Sequence, residues 1–283
     1  MNYILHDRLS VGHRFEIVNG LFFNTNFHYA DRQSISGFDT ETLIDSLFNE
    51  DSVPLEFEGY QGFITNFTLS YTPKLKYMTE PNRKINLGSK FPTFRINYRK
   101  GWNNVFGSDI EFDYTQFTVE QDLILGVFGN SKYNAKIGKY INTKDLRIVD
   151  LKRFRQSDPY LYSDPLNTFQ LLDTAFATTN LFFELHHIHH FNGALVNNLP
   201  LIKLTKVRVV AGGGMLWVQD NNFRHQEIFA GLERVFRLGA RRRLRVGLYG
   251  VLAKSRGSKT NTCLLYTSPS PRDQRGSRMP SSA

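Results

Sequence analysis

An all-β fold, an antiparallel transmembrane β-barrel, is what the sequence predicts, and three observations predict it. Apolar and polar residues alternate with period two through about ten separate stretches. The stretches run to roughly 7–14 residues, long for a soluble protein, whose strands average about 5–6, and suited to tilted strands crossing a bilayer. Phe and Tyr number 24 and 13, and aromatic side chains suit pleated surfaces better than helices. No apolar run approaches the ~20 residues of a transmembrane helix. A helical membrane protein is therefore excluded, whereas a barrel, whose strands each carry only a weak alternating signal, is not.

The strands are read in order. Leu9–Ile17 is the first, followed by Leu21–Tyr29, where Phe23, Phe27 and Tyr29 oppose Asn24, Asn26 and His28. In Phe63–Tyr71, Phe63, Phe67, Leu69 and Tyr71 oppose Asn66, Thr68 and Ser70. In Thr93–Arg99, Phe94, Ile96 and Tyr98 share one face and Arg95, Asn97 and Arg99 the other. Phe112–Leu123, Tyr133–Ile141 and Thr174–His187 come next. Lys206–Trp217 sets Val207, Val209, Ala211, Met215 and Trp217 against Arg208, Gly212 and Gly214. Gln226–Phe236 precedes Arg243–Leu252, where Leu244, Val246, Leu248 and Leu252 oppose Arg243 and Arg245. Charge at the lipid midplane costs about 2–4 kcal/mol per Arg. Arg95, Arg99, Arg208 and Arg245 are therefore expected to face the lumen, with the aliphatic rows facing lipid.

The two longest links, 30–62 and 142–173, share one parity, as outer loops of a barrel should. Both are expected to be solvated loops: the first carries Asp39, Glu41, Asp45, Glu50, Asp51, Glu56 and Glu58, the second the turn formers Ser157-Asp158-Pro159 and Ser163-Asp164-Pro165. The start, Met1-Asn2-Tyr3-Ile4-Leu5-His6-Asp7-Arg8, lacks the basic and apolar regions of a signal peptide. The barrel is therefore expected to be incomplete, with strands missing at both ends.

The segment from Cys263 to Ala283 fits none of these patterns. Its run Cys263-Leu264-Leu265-Tyr266-Thr267-Ser268-Pro269 and its end, Ser277-Arg278-Met279-Pro280, resemble two constant blocks of a translated transposase-type sequencing adapter separated by an index-sized gap. Residues 1–262 are thus expected to be a partial outer-membrane barrel, and residues 263–283 an artefactual, disordered tail without packed contacts. Three arginines and one aspartate of that tail supply two of the nine net positive charges, and Cys263 is the chain's one cysteine. The remainder can form neither a disulfide nor a thiolate metal site.

Few motifs carry chemistry. His186, His187, His189 and His190 are potential zinc or copper ligands, but neighbouring strand residues point to opposite faces. They are read as a strand end and turn at the periplasmic rim, with no metal assigned. Arg234, Arg237, Arg241, Arg242, Arg243 and Arg245 straddle a turn without an aromatic stacking platform, so no nucleic acid is expected. There is no Gly-x-Ser-x-Gly elbow, phosphate loop or His-Glu-x-x-His helix. No catalytic residue or cofactor is assigned.

The stretch from Leu181 to Leu204 does carry a resemblance. His189, His190, Phe191, Asn192 and Gly193, then Pro200, Leu201 and Leu204 before the basic Lys206 and Arg208, resemble the C-terminal barrel of a Bacteroidota family. In those outer-membrane proteins a carboxypeptidase-regulatory-like domain precedes a barrel of unknown function. Lys90-Phe91-Pro92-Thr93-Phe94 and Asn97-Tyr98-Arg99-Lys100-Gly101 are similar to further family segments, and the resemblance spans about residues 60–250. It implies a location in the outer membrane, contact with lipid and lipopolysaccharide, and insertion by the barrel-assembly machinery. The leading expectation is a non-enzymatic barrel in transport, assembly or surface display, with the cargo open. Two alternatives stand beside it, a soluble all-β module binding carbohydrate or lipid, and an outer-membrane hydrolase.

Overall fold

A computed structural model describes residues 4–35, 56–81, 83–157, 162–172, 176–191, 207–237, 243–256 and 261–267. Fifteen strands follow one another: β1 (Ile4–Val18), β2 (Leu21–Ser34), β3 (Tyr60–Tyr71), β4 (Lys76–Glu80), β5 (Arg83–Gly88), β6 (Thr93–Gly101), β7 (Glu111–Ile124), β8 (Asn130–Asp145), β9 (Lys152–Arg153), β10 (Ala177–Thr178), β11 (Phe182–His190), β12 (Val207–Val218), β13 (Phe223–Arg237), β14 (Arg243–Ser255) and β15 (Asn261–Thr267). Eleven of them form one antiparallel sheet in the order β1-β2-β3-β6-β7-β8-β11-β12-β13-β14-β15. The order is linear and, among the described residues, the sheet is not closed. β4–β5 and β9–β10 make separate two-stranded sheets.

All ten strands expected from alternation are present, most of them longer than the alternation alone marks out. Three differences stand out. The link at 72–92 contains the hairpin β4–β5, whose Lys76–Gly88 span shows no clean alternation. Thr174–His187 becomes β11, which begins at Phe182 and runs to His190. The expectation for the tail is also corrected: Cys263–Thr267 lies within β15, pairing Cys263 with Val251 and Tyr266 with Leu248. The physical reason is that β14 would otherwise present an unpaired row of N–H and C=O groups. An apolar, aromatic run such as Cys263–Tyr266 fits that edge whatever its origin. Residues 268–283 lie outside the described part.

Contacts divide the chain into two compact units, one of Met1–Leu75, Phe94–Phe117 and Gly138–Lys152, the other of Lys76–Thr93, Thr118–Ile137 and Arg153–Ala283. In the first unit, Asn19-Gly20 turns β1 into β2. Gly20 has φ +83°, and a Cβ there would lie 2.3 Å from the Thr72 carbonyl oxygen, so only glycine fits. One face of this unit leaves Leu9, Val11, Phe27 and Ile96 exposed. It also carries an aromatic row, Phe15–Phe23–Phe67–Tyr98, whose successive ring centroids are 5.6, 6.2 and 6.4 Å apart. The buried residues Tyr60, Ile64, Phe112, Tyr114 and Tyr140 belong to the opposite face.

In the second unit, β13 and β14 show the alternation most plainly. Ile228 pairs with Leu252, Leu232 with Leu248 and Phe236 with Leu244, and the first four of these are at least 45% exposed. The intervening residues His225, Glu227, Phe229 and Glu233 on β13, and Tyr249, Val251 and Ala253 on β14, are buried. A cluster of Tyr162, Ile188, Val210, Phe229, Tyr249 and Val251 forms the core, and Cys263 packs against it.

Candidate functional site

Both units place charged and aromatic side chains on their buried face, and a chain segment folds against each. In the first unit that segment is the end of the link after β8. Asp150, 3% exposed, accepts hydrogen bonds at Oδ2 from Arg32 Nη1 (2.6 Å) and Tyr60 Oη (2.9 Å). Arg32 also donates to Tyr60 Oη at 2.7 Å. The Asp150 carbonyl oxygen accepts from Arg99 Nη2 and Tyr140 Oη. The Arg99 guanidinium lies over the Phe112 ring, 4.9 Å from its centroid. Arg32 and Asp150 are thus buried as one tight, hydrogen-bonded ion pair, the terms under which burying them is tolerable, with the half-buried Arg99 beside them.

In the second unit, Glu184 and His186 on β11 and His225 and Glu227 on β13 flank β12. Glu184 Oε1 lies 2.9 Å from both Lys136 Nζ and His186 Nε2. His225 Nε2 is 3.4 Å from Glu227 Oε2. Between the strands, Gly214 pairs with His186 on one side and Glu227 on the other. Phe169 fills the space that glycine leaves: a Cβ on Gly214 would sit 2.9 Å from the Phe169 ring. The ring centroids of His186 and His225 are 4.4 and 5.4 Å from that of Phe169. Glu227 accepts from the backbone N–H of Gln170 (2.9 Å) and Leu171 (3.3 Å). Tyr162 stacks on Tyr249 at 3.7 Å, its ring 6° from parallel, and Tyr249 Oη donates to Glu233. Burial pushes the Tyr162 phenol well above its ordinary range, so it stays neutral.

The histidine run occupies the end of strand β11, and alternation splits it between two faces. His186 is fully buried, and His190 Nδ1 comes within 3.9 Å of Glu233. His187 Nε2 meets Ser131 Oγ at 2.8 Å and His189 Nε2 meets the Phe128 carbonyl at 3.0 Å. Each imidazole thus has a different neighbour. Among the described residues no three His, Cys, Asp or Glu side chains are gathered so as to hold a metal. Phe191 N–H donates to Val209 O at 3.0 Å, while Asn192, Gly193 and Pro200 lie outside the described residues.

Of the four arginines expected on the lumen side, Arg99 is the one built into the Asp150 cluster. Arg245 Nη1 is 3.9 Å from Glu233 Oε2, Arg95 is half-buried, and Arg208 is exposed near the start of β12. The acidic stretch 36–55 and the turn residues Arg241 and Arg242 lie outside the described residues.

Sequence reasoning missed Asp150 and Phe169 because the link 142–173 was expected to be solvated, and Glu227 because nothing local in its strand marks it. That expectation fails where Asp150, Phe154, Tyr162 and Phe169 are buried. The available signal was compositional: Phe154, Tyr162, Leu166, Phe169, Leu171 and Leu172 are too many large apolar residues for a loop left in water.

A family model described as the C-terminal domain of a family of unknown function (DUF5686) matches residues 1–232. No curated protein matches the chain.

Proposed function

The chain belongs to this family of unknown function, and from that premise we propose that it forms the membrane-spanning β-barrel of a Bacteroidota outer-membrane protein, of the kind whose barrel follows a carboxypeptidase-regulatory-like domain. One observation carries the reading, namely which faces are wet. In both units the exposed face carries aliphatic and aromatic rows, while the buried face mixes apolar residues such as Phe112, Phe229 and Val251 with Arg32, Glu184, His186, His225, Glu227 and Glu233, and Asp150 folds against it. A soluble sheet seldom buries this many ionisable groups while leaving aliphatic rows exposed. A barrel in lipid needs an apolar outside and tolerates a polar interior.

Strand β13 supports the same reading with a length. Its exposed face runs Arg224, Gln226, Ile228, Ala230, Leu232, Arg234. The ten residue steps from Arg224 to Arg234 span about 34 Å along the strand, or about 26 Å along the normal at a tilt of about 40°. That matches an apolar band of about 25 Å. The row Phe15–Phe23–Phe67–Tyr98 has the composition of an interfacial girdle. The role is transport, assembly or surface display rather than catalysis, with lipid, lipopolysaccharide and the assembly machinery as partners.

The test is extraction. Exported in a Gram-negative host, the chain should stay with membranes through a carbonate wash and dissolve only with detergent. A chain recovered folded and monodisperse from the aqueous fraction would refute the proposal in favour of a soluble module.

A further inference from the structure

In the first unit, Asp150 and its partners Arg32, Tyr60 and Arg99 occupy one end of a sheet face. Beyond them, on that same face and opposite to the exposed Leu9, Val11 and Phe27, alternation and register set out two cross-strand rows. Arg14 pairs with Asn24, Asn24 with Thr68 and Thr68 with Asn97. Two residues along, Gly12 pairs with Asn26, Asn26 with Asn66 and Asn66 with Arg99. A Cβ on Gly12 would sit 2.2 Å from Asn26 Oδ1, so the missing side chain lets the Asn26 amide lie across β1. Further along β1 comes Arg8, whose Nη2 donates to His28 Nδ1 at 2.7 Å.

Much of the hydrogen-bonding capacity of these rows is open. Asn97 Nδ2 donates to Thr68 Oγ1 at 2.9 Å. The side-chain amides of Asn24, Asn26 and Asn66 have no hydrogen-bond partner among the described residues, and all three are half-buried. Arg8 and Arg14 are exposed and pair with no carboxylate among the described residues. Arg14 lies over the Phe22 ring, 4.8 Å from its centroid. Glu16, the acid on that face of β1, accepts from Gly20 N–H at 3.0 Å. An amide both donates and accepts, and a guanidinium offers a fork of donors with a permanent charge.

The spacing narrows the ligand. Arg8 and Arg14 stand about 20 Å apart along an extended strand. A single phosphate or carboxylate is held by donors that converge on one point, whereas these cations are spread out with neutral amides between them. That pattern fits an extended, hydroxyl-rich chain bearing acid groups at intervals. We propose that Arg8 and Arg14 of β1, with Asn24, Asn26 and Asn66 beside them, bind an acidic oligosaccharide, the guanidinium forks taking its carboxylates and the amides its hydroxyls. The strip lies within one unit, so the proposal goes beyond the barrel reading and does not need the sheet to close.

Titration calorimetry on the full chain in detergent micelles, at physiological salt, tests it with tetragalacturonate and the neutral maltotetraose as probes. Tetragalacturonate should bind at least about tenfold more tightly than maltotetraose, the factor expected of one charge-assisted hydrogen bond. Arg8→Gln/Arg14→Gln should remove that advantage, and Asn66→Ala should weaken binding about fivefold. Arg224→Gln/Arg234→Gln removes the same charge from the exposed face of β13 and should leave binding within about twofold, because salt screens charges that do not touch the ligand. Circular dichroism checks that each variant keeps its strands, and the comparison of the two sugars needs no variant. Equal weakening by the two double variants would mean general attraction to a basic chain and overturn the proposal. So would a parent that does not bind tetragalacturonate, or that binds maltotetraose as tightly. Displacement of the sugar by phosphatidylglycerol added to the micelles would assign the strip to a lipid headgroup and overturn it too. Each of these failures leaves the barrel reading standing, since carbonate extraction tests that separately.

Discussion

Removing the Asp150 carboxylate should be among the most damaging single changes available in the first unit. Asp150→Ala deletes the partner of Arg32 at 2.6 Å, where the two side chains are 2% and 10% exposed. It leaves a buried guanidinium whose Nε already has no partner among the described residues, together with a Tyr60 hydroxyl that has lost its acceptor. Breaking a buried pair by removing one member costs about 3–5 kcal/mol. The pair Lys132–Asp122 is the control. Its nitrogen–oxygen separation is also 2.6 Å, but its side chains are 41% and 51% exposed. Asp122→Ala should therefore cost about 0–1 kcal/mol, as exposed pairs do. Equal distances isolate burial as the variable. Urea unfolding in micelles, followed by tryptophan fluorescence, measures both. The double variant Arg32→Met/Asp150→Leu should recover most of the loss, since a packed apolar pair replaces a buried ion pair at little cost. A loss below about 1 kcal/mol for Asp150→Ala, or a double variant no better than the single one, would refute the reasoning.

Three further outcomes are expected. Gly214→Val should drive the Phe169 ring from its notch and cost about 1–3 kcal/mol, and Phe169→Ala in the same chain should recover part of that in unfolding experiments. Tyr249→Phe removes the bond donated to Glu233 and should cost about 1.5–3 kcal/mol, the range for a hydrogen bond to a charged group. Leu248→Arg, on the exposed face of β14, should cost about 2–4 kcal/mol in a bilayer, measured by refolding into vesicles. A change within about 0.5 kcal/mol, as expected for an ordinary wet surface, would count against a lipid-facing strand.

The sequence reveals the strands because alternation is a local property. Each residue of Arg243–Leu252 points away from its neighbours whatever the rest of the chain does, so the split between Leu244, Val246, Leu248 and Arg245 is legible before any fold is known. The hairpin β4–β5 escaped because Tyr77-Met78-Thr79-Glu80 does not alternate. Strand β15 escaped because a reading of its coding origin says nothing about whether Cys263–Thr267 fits the free edge of β14. The site was the least legible part. Nothing local marks Asp150 as the acceptor for Arg32 and Tyr60 in the first unit, or Glu227 as the acceptor for Gln170 and Leu171 in the second. Only the structure identifies Phe229 and Phe169 as what packs against Gly212 and Gly214.

The central claim is that the exposed apolar rows face acyl chains, and lipid-borne quenching measures this most directly. Fluorophores are placed singly at Ile228, Leu232 and Leu248, and in a fourth chain at Arg245, with Cys263→Ser in each, and the chains are folded into vesicles of lipid brominated along the acyl chain. The account predicts strong quenching at the first three sites and little at Arg245, which shares the opposite face of β14 with Tyr249. No quenching at Ile228, Leu232 and Leu248, with aqueous iodide reaching them freely, would contradict it.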